Sequence, residues 1–396
     1  MWRFDSFVID TLRYELRNGG EVVRVEPQVF DVLTQLVGNH ERCVTKEELF
    51  DSVWGGRFVG EAALTSRIKA VRRALGDDGE SQRYIRTVRG RGYQFVGNVI
   101  ADRPVPPAGP EPVEEPPPRQ RIAFCRAADG VRLAYAVAGQ GPPLVRAANW
   151  MTHLGYDIES PVWRHWVRDL ARRNTFIRYD ERGCGLSDWS ATDFSFADWV
   201  SDLESVVEAL ALECFPLLGV SQGGAVAVAY AARHPERVSK LVLCSSYARG
   251  RGVRAMNDEE RRAAELDLDL ARVGWGRDDP AFRQVFAAQF IPDGTRADWA
   301  AFDQLQRRTT SPENAVRFLE EFGRIDVREE ASRVACPTLI LHSRDDHRQP
   351  LRAAEELAAL IPESRLVALN SNNHLLTATE PAWPVFLDEV ATFLAE

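Results

Sequence analysis

Hydrophobic and polar positions follow two rhythms along the chain, and the change between them falls near residue 100. In the first stretch Phe4 to Asp10 alternates apolar and polar residues, as a half-buried strand does. Tyr14 to Arg17 and Val22 to Val25 flank Asn18-Gly19-Gly20, a hairpin signal. Three helical segments follow: Pro27 to Val37 with proline in its first turn, a capped helix opened by Thr45-Lys46-Glu47-Glu48 and running to Val53, and Ala62 to Leu75. At about 100° per residue, Leu64, Ile68, Val71 and Leu75 share one face of the third helix. Ser66, Lys69 and Arg73 lie opposite, flanked by Arg67 and Arg72. Tyr84 to Val88 and Tyr93 to Val96 then bracket Arg89-Gly90-Arg91-Gly92, a basic strand-turn-strand.

From Arg121 the pattern becomes continuous apolar runs separated by amphipathic helices. The runs are Ile122–Phe124, Leu133–Val137, Pro143–Ala147, Phe176–Tyr179, Phe215–Val220, Lys240–Cys244, Thr338–Leu341 and Arg365–Leu369. They predict a mostly parallel sheet covered by helices on both faces. Residues from about 250 to 330 break this rhythm with roughly four helices, one opened by Ser311-Pro312-Glu313, and read as a helical cap. Its Trp275, Phe282, Phe286, Phe290, Trp299, Phe302, Phe318 and Phe322 exceed what short helices bury among themselves, so part of that surface is expected to face a site in the core.

Composition alters this picture at two points. Between Pro104 and Pro118 eight of fifteen residues are proline, interleaved with Glu111, Glu114 and Glu115, which predicts an extended linker. The chain is therefore read as multidomain: residues 1–100, a linker over 101–120, and residues 121–396 with the cap. The net charge of −9 over 396 residues argues against nucleic acid only while it is taken as one number. Residues 1–100 carry 15 basic and 14 acidic groups, against 34 and 44 in the remainder, and residues 67–91 alone hold 8 basic and 3 acidic. The charged start Met1-Trp2-Arg3-Phe4-Asp5 is unlike an export signal, and no apolar stretch approaches the length of a membrane span. A cytoplasmic location without a membrane partner is the expectation. Six scattered cysteines without a C-x-x-C pair predict buried thiols, and neither a metal nor a cofactor is expected.

A helix of this width fits the major groove of DNA, and a basic hairpin can lie along phosphates or in the adjacent minor groove. Charges on an isolated amphipathic helix are more often its solvated face. In context, residues 3 to 97 resemble the OmpR-type winged-helix DNA-binding domain. The resemblance rests on the strand lead-in, Val44-Thr45-Lys46-Glu47-Glu48-Leu49 to Val53-Trp54-Gly55, the basic helix Leu64 to Leu75, and Ile85-Arg86-Thr87-Val88-Arg89-Gly90-Arg91-Gly92-Tyr93. It implies a winged helix-turn-helix of α+β class, with Ser66, Arg67, Lys69, Arg72 and Arg73 as helix contacts to double-stranded DNA. Thr87, Arg89, Arg91 and Tyr93 are implied as wing contacts. Ala70 stands where such domains commonly carry arginine, so the bases read do not carry over. No receiver domain precedes it in this sequence, so an input other than phosphorylation is expected.

In the second part, Gly219-Val220-Ser221-Gln222-Gly223 follows an apolar run and opens a helix, the setting in which G-x-S-x-G raises a serine on a strained turn. Serine is a weak nucleophile at its ordinary pKa, so a base and an orienting carboxylate must follow. Ser343-Arg344-Asp345-Asp346-His347 and Asn370-Ser371-Asn372-Asn373-His374 each lie just beyond a strand. His342 and His347 compete for the base, one at a strand end and the other beside the acid. His153 and His165 read as structural or pocket-lining. Residues 121–396 resemble the α/β-hydrolase superfamily, particularly its cofactor-free esterase and perhydrolase-like members. The resemblance implies Ser221, Asp346 and His374 as the catalytic residues, Asp346 matching better than Asp345 by its distance to Pro350. The resemblance implies the backbone N–H groups of Gln222 and Trp150 as the oxyanion donors, although Ala148-Asn149-Trp150 stands where the family usually has His-Gly-X. Asp180-Glu181-Arg182-Gly183-Cys184-Gly185-Leu186-Ser187-Asp188 resembles the family's turn after the next strand, where its role is structural.

Three functions stay open on these residues: a one-component transcriptional regulator whose serine-hydrolase domain senses and turns over a small ester, lactone or other acyl ligand, a hydrolase with an accessory DNA-binding domain, and a catalytically idle hydrolase-fold receptor. The expected partners are double-stranded DNA and a small acyl or ester-type ligand, with RNA polymerase and a second copy of the chain as further candidates.

Overall fold

The structure, a computed structural model, describes residues 2–10, 15–40, 42–54, 61–97, 99–101, 118–191, 194–277 and 280–396. The chain divides into two compact units, Met1–Glu115 and Pro116–Glu396. Residues 102–117, which hold nearly all of the proline-rich stretch read as a linker, lie outside the described residues, as do Tyr14 and Gly55.

The first unit opens with strands β1 (Trp2–Phe4), β2 (Phe7–Asp10), β3 (Glu15–Asn18) and β4 (Glu21–Val23). The alternating run Phe4–Asp10 is thus two strands, not one. Asp5 takes φ 46°, and β1 turns back on β2 with Phe4 opposite Phe7. The break falls at Asp5-Ser6, two consecutive exposed polar residues between the buried Phe4 and Phe7. Helices α1 (Pro27–Gly38), α2 (Lys46–Trp54) and α3 (Glu61–Leu75) follow. Strand β5 (Val44–Thr45) precedes α2 and pairs with the last hairpin, β6 (Ile85–Val88) and β7 (Gly92–Phe95). Strand β8 (Ile100–Ala101) closes on β1. Thr45 and Glu48 form the expected reciprocal cap, with Glu48 N–H donating to Thr45 Oγ1 at 3.1 Å and Thr45 N–H to Glu48 Oε2 at 2.8 Å.

One buried carboxylate holds the basic hairpin to α3. Asp77 accepts backbone N–H bonds from Asp78, Arg83, Tyr84 and Ile85 at 2.8–3.0 Å. Burial pushes its carboxyl up, but these donors outweigh it and leave it below the usual carboxylate value. Asp77→Ala strands these donors, so a loss of about 2–4 kcal/mol of unfolding free energy is expected by denaturant titration. Asp77→Asn, which keeps the shape but lacks the charge, should fall between the two.

The second unit is one eight-stranded sheet in the order β16-β15-β14-β13-β11-β12-β10-β9. Its strands are β9 (Gln120–Arg126), β10 (Arg132–Ala138), β11 (Pro143–Arg146), β12 (Thr175–Tyr179), β13 (Phe215–Val220), β14 (Val238–Cys244), β15 (Thr338–Ser343) and β16 (Ser364–Leu369). Only β10 runs against its neighbours. The continuous apolar runs are explained by burial, since Leu217, Leu218, Leu241, Val242, Leu339 and Ile340 have no exposed surface. Helices α4 (Leu154–Asp157), α5 (Arg164–Leu170), α6 (Phe196–Ala209) and α7 (Gln222–Arg233) are threaded between the early strands. Between β14 and β15 come α8 (Arg251–Arg254), α9 (Asp258–Gly274), α10 (Pro280–Phe290), α11 (Arg296–Thr309), α12 (Pro312–Arg324) and α13 (Arg328–Ser332). Helices α14 (Leu351–Leu360) and α15 (Ala382–Ala395) complete the unit. Among the described residues no helix is long and apolar enough to cross a membrane.

Candidate functional site

Parallel strands end together, so residues just past β13, β15 and β16 meet at one edge of the sheet. Ser221 follows β13 directly with φ 54° and ψ −126°, a backbone state that side chains rarely adopt. The turn is tight enough that a Cβ on Gly223 would come within 2.6 Å of the Ala148 carbonyl oxygen. The serine is thereby lifted to the N-terminus of α7.

His374 Nε2 lies 2.8 Å from Ser221 Oγ, and His374 Nδ1 lies 2.8 Å from Asp346 Oδ2. With the carboxylate accepting from Nδ1–H, Nε2 is left to accept the serine proton. Asp346 is buried whereas Asp345 and His347 are exposed, so only one of the adjacent acids reaches the site. Burial raises the Asp346 carboxyl, but His374, His342 and the Gln349 N–H more than offset it, and the group sits below its ordinary value. Its other oxygen accepts from the backbone N–H groups of Arg348 at 2.7 Å and Gln349 at 2.9 Å. His342 is buried with its Nε2 2.8 Å from the Gln349 carbonyl, which makes it a brace for the acid loop. The histidine loop is braced as well. The His374 N–H donates to the Phe290 carbonyl at 2.9 Å, and His165 Nε2 lies 2.9 Å from the Leu376 carbonyl.

The turn expected to supply the second oxyanion donor is built without glycine. Met151 adopts φ 62°, Asn149 Nδ2 donates to the Trp150 carbonyl at 3.0 Å, and the buried Arg146 donates to Asn149 Oδ1. The Trp150 N–H is engaged, donating to the Gln222 side-chain oxygen at 3.3 Å, while the Gln222 amide in turn donates to Glu181. An oxyanion using both expected donors must therefore displace the Gln222 side chain from Trp150.

Ser221, Gln222 and Trp150 open onto a cavity of about 660 Å³ beneath α8, α9 and α12. The Trp150 ring stacks on Trp275 at 5.3 Å and meets Phe322 edge-on at 5.3 Å, and Phe290 lies 5.4 Å from the His374 ring. Of the cap aromatics, Phe290 and Phe322 line the cavity; Phe286, Phe302 and Phe318 are buried in packing. Among the described residues no cluster of His, Cys, Asp or Glu is placed to hold a metal ion.

In the first unit Ser66, Lys69 and Arg73 are exposed along α3, and Thr87, Arg89 and Arg91 along the hairpin. The other three residues named for DNA are placed differently. Arg67 is half-buried, donating to Glu26 at 2.6 Å and Gln28 at 3.2 Å. Arg72 donates to the Ile85 carbonyl and Thr87 Oγ1, both at 2.9 Å, tying α3 to the hairpin. Tyr93 is buried in the core opposite Thr87, so packing and not an exposed wing position accounts for its ring. Helical periodicity places a residue on a face but does not reveal partners brought in from 13 or 41 positions away.

Residues 154–381, more than half of the sequence, match the family described as alpha/beta hydrolase fold. The chain belongs to the alpha/beta hydrolase fold family. Residues 20–95 match the family described as transcriptional regulatory protein, C terminal, and that domain is present in the first unit. Among similar proteins, RutD of Serratia proteamaculans, provisionally named a carbamate hydrolase, is 25% identical over 62% of this chain and 90% of its own. The AB hydrolase superfamily protein YisY of Bacillus subtilis is 27% identical over 63% of this chain and 91% of its own. An esterase, RhEst1 from Rhodococcus, superposes with a TM-score of 0.55 at 25% identity, covering 69% of this chain and 98% of its own.

The alpha/beta hydrolase unit also buries a polar network beneath its site, of which only Asp180 and Glu181 belong to the turn expected to be structural. Glu181, Arg146, Asp180, Asp157 and Arg178 are all buried, with Arg178 paired to Asp157 at 3.1 Å. Burial pushes the Glu181 carboxyl up to about 8 and the Asp157 carboxyl up to about 7. Burial also pushes His165 down to about 4. A carboxyl held above its unfolded value stabilises the fold below that value and loses the contribution as pH rises through the folded one. The hydrolase unit is therefore expected to lose stability between about pH 5 and 8 on account of Glu181. Calorimetry of Glu181→Gln against the native chain should show a melting-temperature difference that shifts in the variant's favour as pH rises across this window. His165 acts at the other end, since its contribution is present above the unfolded value near 6.5 and is lost as pH falls towards 4.

Proposed function

We propose that this chain is a one-component transcriptional regulator that binds double-stranded DNA through the winged helix and uses its hydrolase unit to sense and hydrolyse a small ester, lactone or related acyl ligand. The observation that carries the hydrolytic part is the unbroken relay from Asp346 through His374 to Ser221, at 2.8 Å in both steps, at the floor of an aromatic cavity. A catalytically idle receptor would have no need of a strained serine or of an imidazole oriented by a buried carboxylate. In the proposed reaction Ser221 Oγ bonds to the acyl carbon while its proton passes to His374. The bond to the leaving alkoxide breaks and His374 returns the proton to it. Water then repeats the sequence and releases the acid and the free serine. The developing oxyanion takes Gln222 N–H and, once the Gln222 side chain moves, Trp150 N–H, each worth about 3–4 kcal/mol.

Support for the DNA part is the exposed set Ser66, Lys69, Arg73, Thr87, Arg89 and Arg91 on a domain of regulatory type. One winged helix covers a short half-site, so specific control is expected to use two copies on DNA. The experiment pairs two measurements on the full chain: labelling of Ser221 by an uncharged fluorophosphonate and retardation of duplex DNA at low salt. Labelling without retardation supports the hydrolase alone, and retardation without labelling supports the idle receptor.

A further inference from the structure

The wall of the cavity facing the cap holds more positive charge than its carboxylates balance. Arg251 on α8 and Arg348 on the loop after Asp346 both line the cavity, and both donate to one buried carboxylate, Asp267 of α9. Arg348 also donates to Gln289 Oε1 at 2.6 Å and lies 5.0 Å over the Phe290 ring, which also meets the His374 ring edge-on. A third guanidinium, Arg254, donates to the Gln349 side chain, itself part of the lining. Among the described residues no carboxylate pairs with Arg254, since Glu260, which acts on it at longer range, is bonded to Arg352 at 3.2 Å. Elsewhere in the lining Glu320 pairs with Arg272 at 2.8 Å, Arg261 with Asp258 and Arg324 with Glu321 at 3.6 Å, while Glu265 is exposed to solvent. Two guanidiniums of the lining, Arg251 and Arg348, thus share one carboxylate, and Arg254 stands behind Gln349 with none of its own. Their crowding is visible in their acidity: burial and then Arg348 depress Arg251, and burial and then Arg251 push Arg254 down to about 10.

Positive charge withdrawn from water without counter-charge costs free energy that an incoming anion recovers. An uncharged apolar ester would leave these groups as they are. Arginine forks also match a carboxylate geometrically, with paired N–H donors.

We propose that the cavity is built for an anionic acyl ligand, an ester or lactone whose far end carries a carboxylate seated on Arg251, Arg254 and Arg348 while its carbonyl carbon lies at Ser221. The catalytic part of this statement rests on the reading of Ser221 as the nucleophile; the binding part does not.

The test compares two chromogenic esters of equal chain length, the p-nitrophenyl monoester of pimelic acid and p-nitrophenyl heptanoate, with the full-length chain. The anionic ester is expected to be preferred in kcat/KM by about tenfold or more, and Arg251→Gln or Arg254→Gln to lower that preference about tenfold. Arg254→Lys should restore part of it. Arg254→Gln strands no carboxylate, so it reports on recognition even where Arg348→Gln unfolds the loop. Preference for the neutral ester, or a ratio unmoved by both glutamine variants, overturns the proposal. The same discrimination is measured without turnover by calorimetric titration of monomethyl pimelate and methyl heptanoate into Ser221→Ala. If the native chain resists fluorophosphonate, the hydrolytic reading fails, yet this titration still decides whether the cavity selects an anion.

Discussion

His374→Ala is expected to lower kcat/KM towards a small ester by about 10⁵-fold, and to slow fluorophosphonate labelling of Ser221 in parallel. The magnitude follows from what the imidazole does. It removes the proton from a hydroxyl that is almost wholly protonated at neutral pH, and it returns that proton to the leaving group. Neither task passes to a neighbour, because His342 is turned to the Gln349 carbonyl and His347 is exposed. Ser221→Ala should lose as much, and the double variant little more than either, since members of a relay act as one unit. Asp346→Asn should cost about 10⁴-fold by favouring the wrong imidazole tautomer. Losses that simply add between His374→Ala and Ser221→Ala would place the chemistry elsewhere.

DNA affinity should fall by roughly 10²-fold for a single unit between 50 and 200 mM salt, because each neutralised phosphate contributes a log-log slope of about −0.9. Four exposed cations, Lys69, Arg73, Arg89 and Arg91, set that number, while Arg67 and Arg72 are committed inside the protein. Measured by fluorescence anisotropy, Arg89→Ala with Arg91→Ala should reduce the slope by about two. Arg72→Ala should behave otherwise, weakening binding through a loosened hairpin with a smaller change in slope. The remainder of the chain, with 34 basic against 44 acidic groups, is expected to repel the duplex.

Much of this was legible because it is local. The central apolar runs of the hydrolase sheet are strands buried on both sides, the edge runs at Ile122–Phe124 and Arg365–Leu369 only partly so, and Ser221 announces itself by glycines that a strained turn requires. Asp346 was separable from Asp345 only through the family resemblance, and burial supplies the physical reason. What escaped the sequence depends on distant partners. Asp77 looks like any acid after a helix until the chain entering the hairpin brings three of its four N–H donors, those of Arg83, Tyr84 and Ile85. Arg146 replaces the missing glycine turn by holding Asn149, and nothing in its neighbours hints at that. Tyr93 sits in a basic hairpin yet faces inward, because strand period fixes its side and not its exposure. The arginines of the cavity lie on two elements nearly a hundred residues apart, joined through Asp267 and through the bond from Arg254 to Gln349.

Coupling between the two units is tested most directly by acylating one and measuring the other. The full chain, modified stoichiometrically at Ser221 by an uncharged fluorophosphonate, is titrated against a duplex that the native protein has itself selected from random sequence, beside unmodified protein and Ser221→Ala exposed to the same reagent. A regulator that senses acyl ligands should show its affinity for that duplex changed by at least about fivefold on modification, with Ser221→Ala unaffected. Identical affinities for modified and unmodified chains would mean that the hydrolase and the winged helix act independently.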